Sequence, residues 1–185
     1  MTAPTNVRED LARAIADASL LRGTFTLRSG RTSSYYLDKY RFSTRPEVLG
    51  PLAGLFAERI AAIAADCGGV DRLAGAELGG IPLVAAACLK TGHPTLFVRN
   101  AKKDYGTAKQ LEGVVEQGDK VVFLEDVATT GGQALEAVGV LTDAGAEVVA
   151  IVCTIDRLEG ARENIEKAGI RFEALFTKRD LGVDD

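Results

Sequence analysis

The sequence predicts an α/β fold in which a mostly parallel sheet is flanked by helices. Two segments, 121–124 and 147–155, are almost continuously apolar, as expected of parallel strands whose two faces are both covered. From about residue 46 onward, strands of this kind alternate with segments of helical periodicity. Glycine-rich turns follow two of the strands. Because ligands bind at the carboxyl ends of parallel strands, we expect the functional site at that edge of the sheet.

Residues 1–45 are predicted to form an N-terminal segment outside the main sheet. Apolar side chains recur every three to four positions over 7–21, which predicts an amphipathic helix. A short strand at 25–27, a polar turn at 29–34 and a second strand at 35–38 predict a hairpin with aromatic cross-strand pairs.

Residues 46–185 are predicted to form the core of a single domain, since no linker, repeat or low-complexity segment separates a second one. Pro46 lies in the first turn of a long helix, where proline is tolerated, and Gly68 and Gly69 end that helix. The predicted elements of the core are helices at 46–67, 81–89, 133–141 and 159–168, and strands at 72–76, 95–98, 121–124, 147–155 and 171–176.

The composition indicates one soluble globular protein and argues against several functional classes. The 185 residues are 46% hydrophobic and 26% charged, and their net charge of −4 does not favour general binding of nucleic acid. We recognise no long apolar span and no secretory leader. The protein is therefore predicted to be cytoplasmic, with neither a membrane nor a nucleic acid as partner.

The cysteines and the histidine do not predict a metal site. Cys67, Cys88 and Cys153 have neither paired nor metal-ligand spacing, so we expect buried free thiols in a reducing compartment. Catalytic or metal-binding thiols are the alternative. His93 is the one histidine and lies in a turn, which favours a surface role over a histidine-based metal site.

The segment KVVFLEDVATTGGQALEA, at 120–137, carries the strongest functional signal. Its apolar strand is predicted to end at Glu125 and Asp126, and a turn of threonines and glycines follows at 129–132 before a helix begins at Gln133. Such a turn before a helix presents backbone N–H groups to a phosphate. Adjacent carboxylates would repel a bare phosphate, but they suit a ligand with hydroxyls, Mg²⁺ or a centre that becomes positive during reaction. A sugar phosphate meets these conditions.

Other interpretations of this segment are possible. It could be an ordinary strand-to-helix turn, in which Thr129 or Thr130 caps the helix. A Walker A loop is not expected, because no Gly-Lys-Ser/Thr follows the glycines.

Two further segments bear on an anion site. The turn at 77–80 repeats the pattern of strand, glycines and helix, and it is either a second anion site or a simple turn. The basic segment at 99–107 interrupts two strands and is predicted to be a mobile loop. That loop is either a solvated charged hairpin or a source of cations for an anionic substrate.

Four motifs in this order resemble those of a known family. EDVATTGG resembles the ribose-phosphate motif of type I phosphoribosyltransferases. FTLRSGRTSSYYLD, RNAKKDYG and DRLEG resemble the N-terminal signature, the catalytic loop and the carboxylate-binding turn of orotate phosphoribosyltransferases. The resemblance extends over nearly the whole chain and implies the type I phosphoribosyltransferase fold, with residues 1–45 as a hood over the base pocket.

The resemblance also implies an activity. Members of this family transfer ribose 5-phosphate from phosphoribosyl pyrophosphate (PRPP) to orotate, which gives orotidine 5′-phosphate and pyrophosphate in pyrimidine (UMP) synthesis. The implied cofactor is Mg²⁺, carried by PRPP without direct protein ligands. The implied assembly is a homodimer whose active sites are shared between subunits.

Individual roles follow from the same resemblance. The implied catalytic residues are Lys103, Glu125 and Asp126. The implied PRPP-binding residues are Arg99, Lys103, Tyr105, Glu125, Asp126, Ala128, Thr129, Thr130, Gly131, Gly132 and Gln133. The implied orotate-binding residues are Arg28, Tyr36, Thr129 and Arg157. The chain departs from common family patterns at Arg28, Gly79, Asn100 and Tyr105, where other members carry lysine or, in the last case, histidine.

Two other functions remain open at this point. A phosphoribosyltransferase for a purine or uracil would keep EDVATTGG but lack the SGRTSSYY and DRLEG features. A non-enzymatic regulator that senses PRPP would need a surface for nucleic acid, and the sequence shows neither a helix-turn-helix extension nor a strong basic patch.

Overall fold

The computed structural model describes residues 7–26, 32–100 and 110–184. Its helices and strands, in chain order, are α1 (Val7–Ser19), β1 (Leu20–Thr26), β2 (Thr32–Leu37), α2 (Lys39–Ser43), α3 (Pro46–Cys67), β3 (Arg72–Ala76), α4 (Gly80–Thr91), β4 (Thr95–Val98), β5 (Leu111–Glu112), β6 (Lys120–Ala128), α5 (Gly132–Asp143), β7 (Glu147–Asp156), α6 (Ala161–Lys167) and β8 (Arg171–Thr177), with a short 3-10 helix at Lys178–Leu181.

Six strands form the main sheet in the order β5-β4-β3-β6-β7-β8. Every neighbouring pair is parallel except β4 with β5, which is antiparallel. The prediction of a mostly parallel α/β sheet is therefore confirmed. Since β3, β4, β6 and β7 run in the same direction, the segments that follow them leave the sheet at one edge.

Both faces of β6 are buried, which explains its continuous apolar run. Val122 and Leu124 pack into a cluster with α1, α3 and α4, whereas Val121 and Phe123 pack into a second cluster with α5 and α6. Successive side chains of a strand point to opposite faces, so this strand needs apolar residues at every position. Each fully buried side chain of this size contributes about 1.5–3 kcal/mol to folding.

The long helix and the strand after it have the predicted boundaries. Pro46 lies in the first turn of α3, and Gly68 ends the helix in a left-handed conformation with φ of 77°. A left-handed residue just past a helix terminus is most easily provided by glycine. The strand β3 spans the five residues predicted for it.

Other boundaries differ from the sequence predictions. The strand β6 does not end at Leu124 but continues through Glu125 and Asp126 to Ala128. The helix α1 ends at Ser19, so Leu21 belongs to β1 and not to the helix. Polar residues hid the end of β6, whereas the apolar Leu20 and Leu21 of β1 continued the helical pattern of α1 past Ser19.

Two short elements were not predicted. The helix α2 follows Asp38, whose side chain accepts a hydrogen bond of 3.3 Å from the Tyr40 backbone N–H. The strand β5 contains two residues and pairs with the end of β4. Neither element is long enough to show a periodic pattern.

The N-terminal hairpin forms a separate two-stranded sheet. Its antiparallel register pairs Leu21 with Tyr36 and Arg22 with Tyr35. The rings of Phe25 and Tyr36 lie with their centroids 5.7 Å apart, so the predicted aromatic cross-strand contact is confirmed. The division into a hood at 1–45 and a core at 46–185 stays a prediction.

The helix α3 contradicts the expectation that no segment is long and apolar enough to cross a membrane. Within the described ranges it is the one helix that meets this criterion, with 22 residues and a mean hydropathy of 1.5. Val48, Phe56 and Ile63 on its inner face are nonetheless packed in the core. A core helix of a globular protein passes the same test, so its length and composition are weak evidence for a membrane span.

The three cysteines are free, as predicted. Cys153 is buried, and burial raises the pKa of its thiol well above the usual value, so this side chain behaves as a small apolar group. Cys67 and Cys88 are only partly buried, so the prediction of buried thiols is wrong for these two.

We predict that Gly75→Ala destabilises the fold. A Cβ at Gly75 would lie 2.6 Å from the Val84 Cγ2 atom and 2.9 Å from the Gly80 carbonyl oxygen, so β3 and α4 would have to move apart. Overpacking of this kind typically costs about 1–3 kcal/mol. Urea denaturation measures the free energy of unfolding.

Gly139→Ala in α5 is the matched control. A Cβ there meets no atom within 4 Å. Alanine is favoured over glycine within helices by up to about 1 kcal/mol, so this variant should be as stable as the wild type or more stable. Equal stability of the Gly75 variant and the wild type would contradict the close approach of β3 and α4.

Candidate active site

Two adjoining cavities lie at the predicted edge of the sheet. The first, which we call the main cavity, has a volume of about 520 Å³ and is lined by residues that include Lys39, Arg99 and Asp126. The second, the turn notch, has a volume of about 50 Å³ and is lined by the turn between β6 and α5. Glu125 and Gln133 line both cavities, so a ligand of extended shape can occupy the two together.

The turn notch is formed where β6 passes into α5. Gly131 is the residue before the helix and has a left-handed φ of 79°, and no side chain caps the helix. The interpretation of Thr129 or Thr130 as the helix cap is therefore wrong. The first backbone N–H groups of α5 remain available at the positive end of the helix dipole, which is the arrangement that binds phosphate.

The residues predicted to bind the 5′-phosphate lie together in the turn notch. They are Ala128, Thr129, Thr130, Gly131, Gly132 and Gln133. Glu125 and Asp126 precede them and line the main cavity. The structure thus places the turn predicted to bind phosphate and the two carboxylates on one continuous surface.

Asp126 is almost wholly buried and is held by several contacts. Its Oδ1 atom accepts a hydrogen bond of 2.6 Å from the Val127 backbone N–H. The Lys39 ammonium lies 3.2 Å from Oδ1 and 3.0 Å from Oδ2. Although Oδ2 is close to this ammonium, no well-aligned hydrogen bond reaches it from the described residues. One oxygen of the carboxylate therefore keeps its capacity to accept a hydrogen bond.

The second glycine turn packs directly against Asp126. A Cβ at Gly79 would lie 1.6 Å from the Asp126 Oδ2 atom, so any other residue there would displace the carboxylate. The turn contains a cis peptide bond between Glu77 and Leu78 and lines the main cavity. This close approach gives a physical reason for glycine at 79, where some family members carry lysine.

The charges in the main cavity shift one another's protonation. Burial raises the pKa of Glu125 well above its usual value, and the neighbouring Asp126 carboxylate adds to the rise while the Lys39 ammonium opposes it. Burial by itself lowers the pKa of Lys39, but the charge and hydrogen bond of Asp126, together with Glu125, outweigh this and raise it. Lys39 is therefore a cation at neutral pH, and Glu125 holds its proton to a higher pH than an ordinary glutamate.

The ends of the basic segment meet at the rim of the main cavity. The Arg99 backbone N–H donates to the Gln110 carbonyl oxygen at 2.8 Å, and the Gln110 side-chain amide donates to the Arg99 carbonyl oxygen at 2.9 Å. The Asn100 backbone N–H donates to Glu77 Oε1 at 2.8 Å. Arg99 lines the cavity, whereas Lys103 and Tyr105 lie outside the described residues.

Arg157 lies next to the turn notch, because its backbone N–H donates to the Ala128 carbonyl oxygen at 2.9 Å. Its guanidinium donates to the Tyr35 hydroxyl at 3.2 Å, lies 5.4 Å from the Tyr35 ring centroid and pairs with Glu159 at 2.9 Å. The Arg157 Nε–H is buried and has no partner among the described residues. This guanidinium is thus oriented by Tyr35 of β2 and by Glu159, and it still has a donor available among the described residues.

The structure also locates residues that the sequence did not single out. Tyr35, rather than Tyr36, contacts Arg157, while Tyr36 packs on Phe25 and remains half exposed. Lys39 contacts Asp126 across 87 positions of the chain. Tyr35 lies within the hairpin motif and Lys39 directly follows it, but the motif did not indicate these two contacts. Arg28 lies outside the described residues.

The described residues offer no cluster of three or more histidine, cysteine, aspartate or glutamate side chains that could hold a metal ion. Glu125 and Asp126 nevertheless provide the oxygen donors that Mg²⁺ prefers. Since the Lys39 ammonium already neutralises Asp126, these two side chains suit ligand hydroxyls better than a bare cation.

A parallel sheet whose edge carries an uncapped glycine turn beside paired carboxylates defines the type I phosphoribosyltransferase class. No family model matches the chain. The chain is 45% identical over 177 residues to the orotate phosphoribosyltransferase of Natronomonas pharaonis, an alignment that covers 95% of this chain and 98% of the relative. It is 42% identical over 178 residues to that of Pyrococcus furiosus, with 95% of each chain covered.

A solved structure agrees with these relatives. The Mycobacterium tuberculosis orotate phosphoribosyltransferase in complex with PRPP matches with a TM-score of 0.79 and 32% identity, over 96% of this chain and 99% of that one. The chain belongs to the orotate phosphoribosyltransferase family of transferase enzymes.

We predict that Glu125→Gln stabilises the protein at neutral pH. A carboxyl group whose pKa is raised by folding contributes stability below its unfolded pKa of about 4.3, and this contribution is lost as the pH rises through the folded pKa. Glutamine removes this loss and keeps an acceptor for the Asp126 backbone N–H, which donates to Glu125 Oε1 at 3.1 Å. A folded pKa higher by one corresponds to about 1.4 kcal/mol.

Denaturant unfolding between pH 4 and pH 8 measures this effect. The difference between variant and wild type should grow in favour of the variant as the pH rises. Glu163→Gln, at an exposed position of α6, is the control. A difference that does not change with pH would contradict the raised pKa of Glu125.

Proposed function

We propose that the main cavity and the turn notch together bind PRPP, and that the chain transfers the ribose 5-phosphate of PRPP to orotate. The products are orotidine 5′-phosphate and pyrophosphate, in pyrimidine (UMP) synthesis. The observation that carries this proposal is the continuous surface on which an uncapped glycine turn lies beside Glu125 and Asp126. This surface offers amide donors for a phosphate and carboxylate acceptors for ribose hydroxyls.

PRPP would bind with its three parts in different places. The 5′-phosphate accepts hydrogen bonds in the turn notch, from Ala128 to Gln133. The ribose hydroxyls donate to Glu125 and Asp126 in the main cavity. The pyrophosphate extends toward Arg99 and the turn at 77–80, both on the wall of that cavity. Lys103 and Tyr105 are proposed to contact the pyrophosphate as well.

Catalysis would rest on positioning and electrostatics. As pyrophosphate leaves, C1 of the ribose becomes positively charged, and the carboxylates of Glu125 and Asp126 stabilise that charge. Arg99 and Lys103 stabilise the negative charge on the leaving group. No covalent nucleophile is required, which agrees with a buried and inert Cys153 beside β6.

Mg²⁺ is proposed to enter with PRPP, without direct protein ligands. When bound, the ion would neutralise part of the pyrophosphate charge. Glu125 and Asp126 would contact the ribose hydroxyls of the complex.

Orotate is proposed to bind through its carboxylate to Arg157. A guanidinium can donate two parallel hydrogen bonds to a planar carboxylate, and the buried Nε–H of Arg157 lacks another partner among the described residues. Tyr35 and Glu159 hold this guanidinium in place. Arg28, Tyr36 and Thr129 are proposed to complete the base pocket.

A homodimer with shared active sites is proposed as the assembly. The outer face of α3 carries small exposed residues, which include Gly50, Ala61 and Ala65, beside charged ones, and Leu89 of α4 is 88% exposed. Such a face allows close packing against a second copy of the chain.

We place the protein in the cytoplasm, because free cysteines are typical of that reducing compartment. Its net charge of −4 does not favour nucleic acid as a partner.

The direct experiment is a PRPP-dependent assay with several bases. The purified chain is incubated with PRPP, Mg²⁺ and either orotate, uracil or a purine base. We expect consumption of orotate alone. Turnover of uracil or a purine would assign another phosphoribosyltransferase, and binding of PRPP without turnover of any base would favour a regulator.

We predict that Arg157→Ala weakens the binding of orotate much more than that of PRPP. Hydrogen bonds to charged groups contribute about 1.5–3 kcal/mol, so the KM for orotate should rise by about 10- to 100-fold. Steady-state kinetics with each substrate varied in turn provides the measurement. Arg162→Ala, on the surface of α6, is the control, and equal loss for both substrates would oppose the assignment.

We predict that two inactive variants complement each other if Lys103 acts in the active site of the neighbouring subunit. Lys103→Ala and Asp126→Asn should each lose nearly all turnover. A mixed dimer would contain one site with both native residues, so complete exchange should restore about a quarter of the wild-type activity. No recovery, despite subunit exchange proven by mass spectrometry, would show that each subunit uses its own Lys103.

A further inference from the structure

Lys39 connects the N-terminal segment to the buried carboxylate of the main cavity. It is the first residue of α2, and the Asp38 cap together with a hydrogen bond of 2.9 Å from the Asp38 backbone N–H to the Ser19 carbonyl oxygen holds the start of that helix. The side chain of Lys39 is about one third exposed, whereas that of Asp126 is 1% exposed. A partly solvated cation therefore compensates a fully enclosed anion.

The burial of Asp126 requires such a partner. A carboxylate removed from water is strongly destabilised unless a cation and hydrogen bonds compensate it. Among the described residues, Lys39 is the cation within ion-pair distance of Asp126, and the Val127 backbone N–H adds a hydrogen bond. Lys39 and the Val127 N–H thus compensate the buried carboxylate of Asp126 and fix its position.

The same contact matters for an anionic ligand. Glu125 and Asp126 would place two adjacent negative charges beside PRPP, which itself carries several negative charges. Like charges at this separation repel. The Lys39 ammonium offsets one of them. The ammonium has three N–H groups, of which one donates to Asp126 Oδ1. Lys39 also lines the main cavity, where PRPP would bind.

We propose that Lys39 is a positioning residue for the transfer reaction: it holds the Asp126 carboxylate in place, and it offsets the negative charge of the carboxylate pair toward the polyanionic sugar phosphate. The proposal rests on the function proposed above and assigns a role to a residue of the hood side of the cavity. Lys39 acts through Asp126 and does not itself contact the reacting carbon.

Several other titratable groups line the main cavity around the carboxylate pair, and a test of pH dependence has to leave them unchanged. They are Lys39 and Tyr40 of α2, Glu77 before α4, Arg99 after β4 and Glu136 of α5. Of these, Lys39 both contacts Asp126 and lowers the pKa of Glu125 against the effect of burial. Removal of its charge should therefore raise the pKa of Glu125 further.

The test compares Lys39→Met with Lys39→Arg and with Lys167→Met, an exposed lysine of α6. For Lys39→Met we expect at least about a tenfold rise in the KM for PRPP, because one compensating charge in the cavity is lost. The acidic side of its pH profile for kcat/KM should move to higher pH. Lys39→Arg keeps the charge and should retain the wild-type pH profile, and Lys167→Met should resemble the wild type throughout.

An NMR titration of the Glu125 carboxyl group, without substrate, gives a second readout that does not depend on activity. Its pKa should be higher in Lys39→Met than in the wild type and unchanged in Lys167→Met. The proposal would be overturned if the pKa of Glu125 in Lys39→Met equalled that of the wild type. It would also be overturned if Lys39→Met lost kcat and had a lower Tm while its pH profile stayed unchanged, since Lys39 and Asp126 would then form only a structural ion pair. If the wild type transfers no ribose 5-phosphate to orotate, the proposed function fails instead. Should Lys39→Met not fold, Lys39→Gln replaces it in both measurements.

Discussion

The burial of one carboxylate organises this edge of the molecule. Asp126 lies near the end of a strand whose residues 121–124 are apolar and fully buried, and it is itself 1% exposed, so its charge enters a region of low dielectric constant. Three separate parts of the chain accommodate it. Lys39 provides the compensating cation, the Val127 backbone provides a hydrogen bond, and Gly79 leaves the space that the carboxylate occupies. The helix α2, the strand β6 and the second glycine turn are thereby held in one arrangement.

One strand and the turn after it supply two kinds of recognition. Backbone amides at the start of α5 suit a phosphate, which needs donors and no particular side chain. The side-chain carboxylates of Glu125 and Asp126, seven and six residues before Gly132, suit hydroxyls and developing positive charge. Because both come from consecutive residues of β6 and its turn, their spacing is set by local backbone geometry. Lys39 lies in α2, and Arg99 and Arg157 directly follow β4 and β7, so their positions relative to this turn depend on the tertiary fold.

Much of the fold was predictable where local chemistry marks an element. The boundaries of α3 and β3 were correct because proline and glycines punctuate the chain there. The end of β6 was placed too early, since polar residues that continue a strand look like the start of a loop. The helix α2 was missed because five residues show no period. For the site, the order of acids, threonines and glycines predicted the turn notch, whereas the contacts of Lys39 and Tyr35 carried no local signal.

Residue order alone specified a strand, two acids, a phosphate-binding turn and a helix, because these features depend on neighbours along the chain and on conformations that glycine permits. It also specified the family, through four motifs in sequence. The folded structure decided which cation compensates Asp126, which tyrosine contacts Arg157 and why position 79 carries no side chain. Each of these contacts joins residues that are distant in sequence. They exist only because parallel strands bring the ends of separate segments to one edge, where buried charge requires a partner.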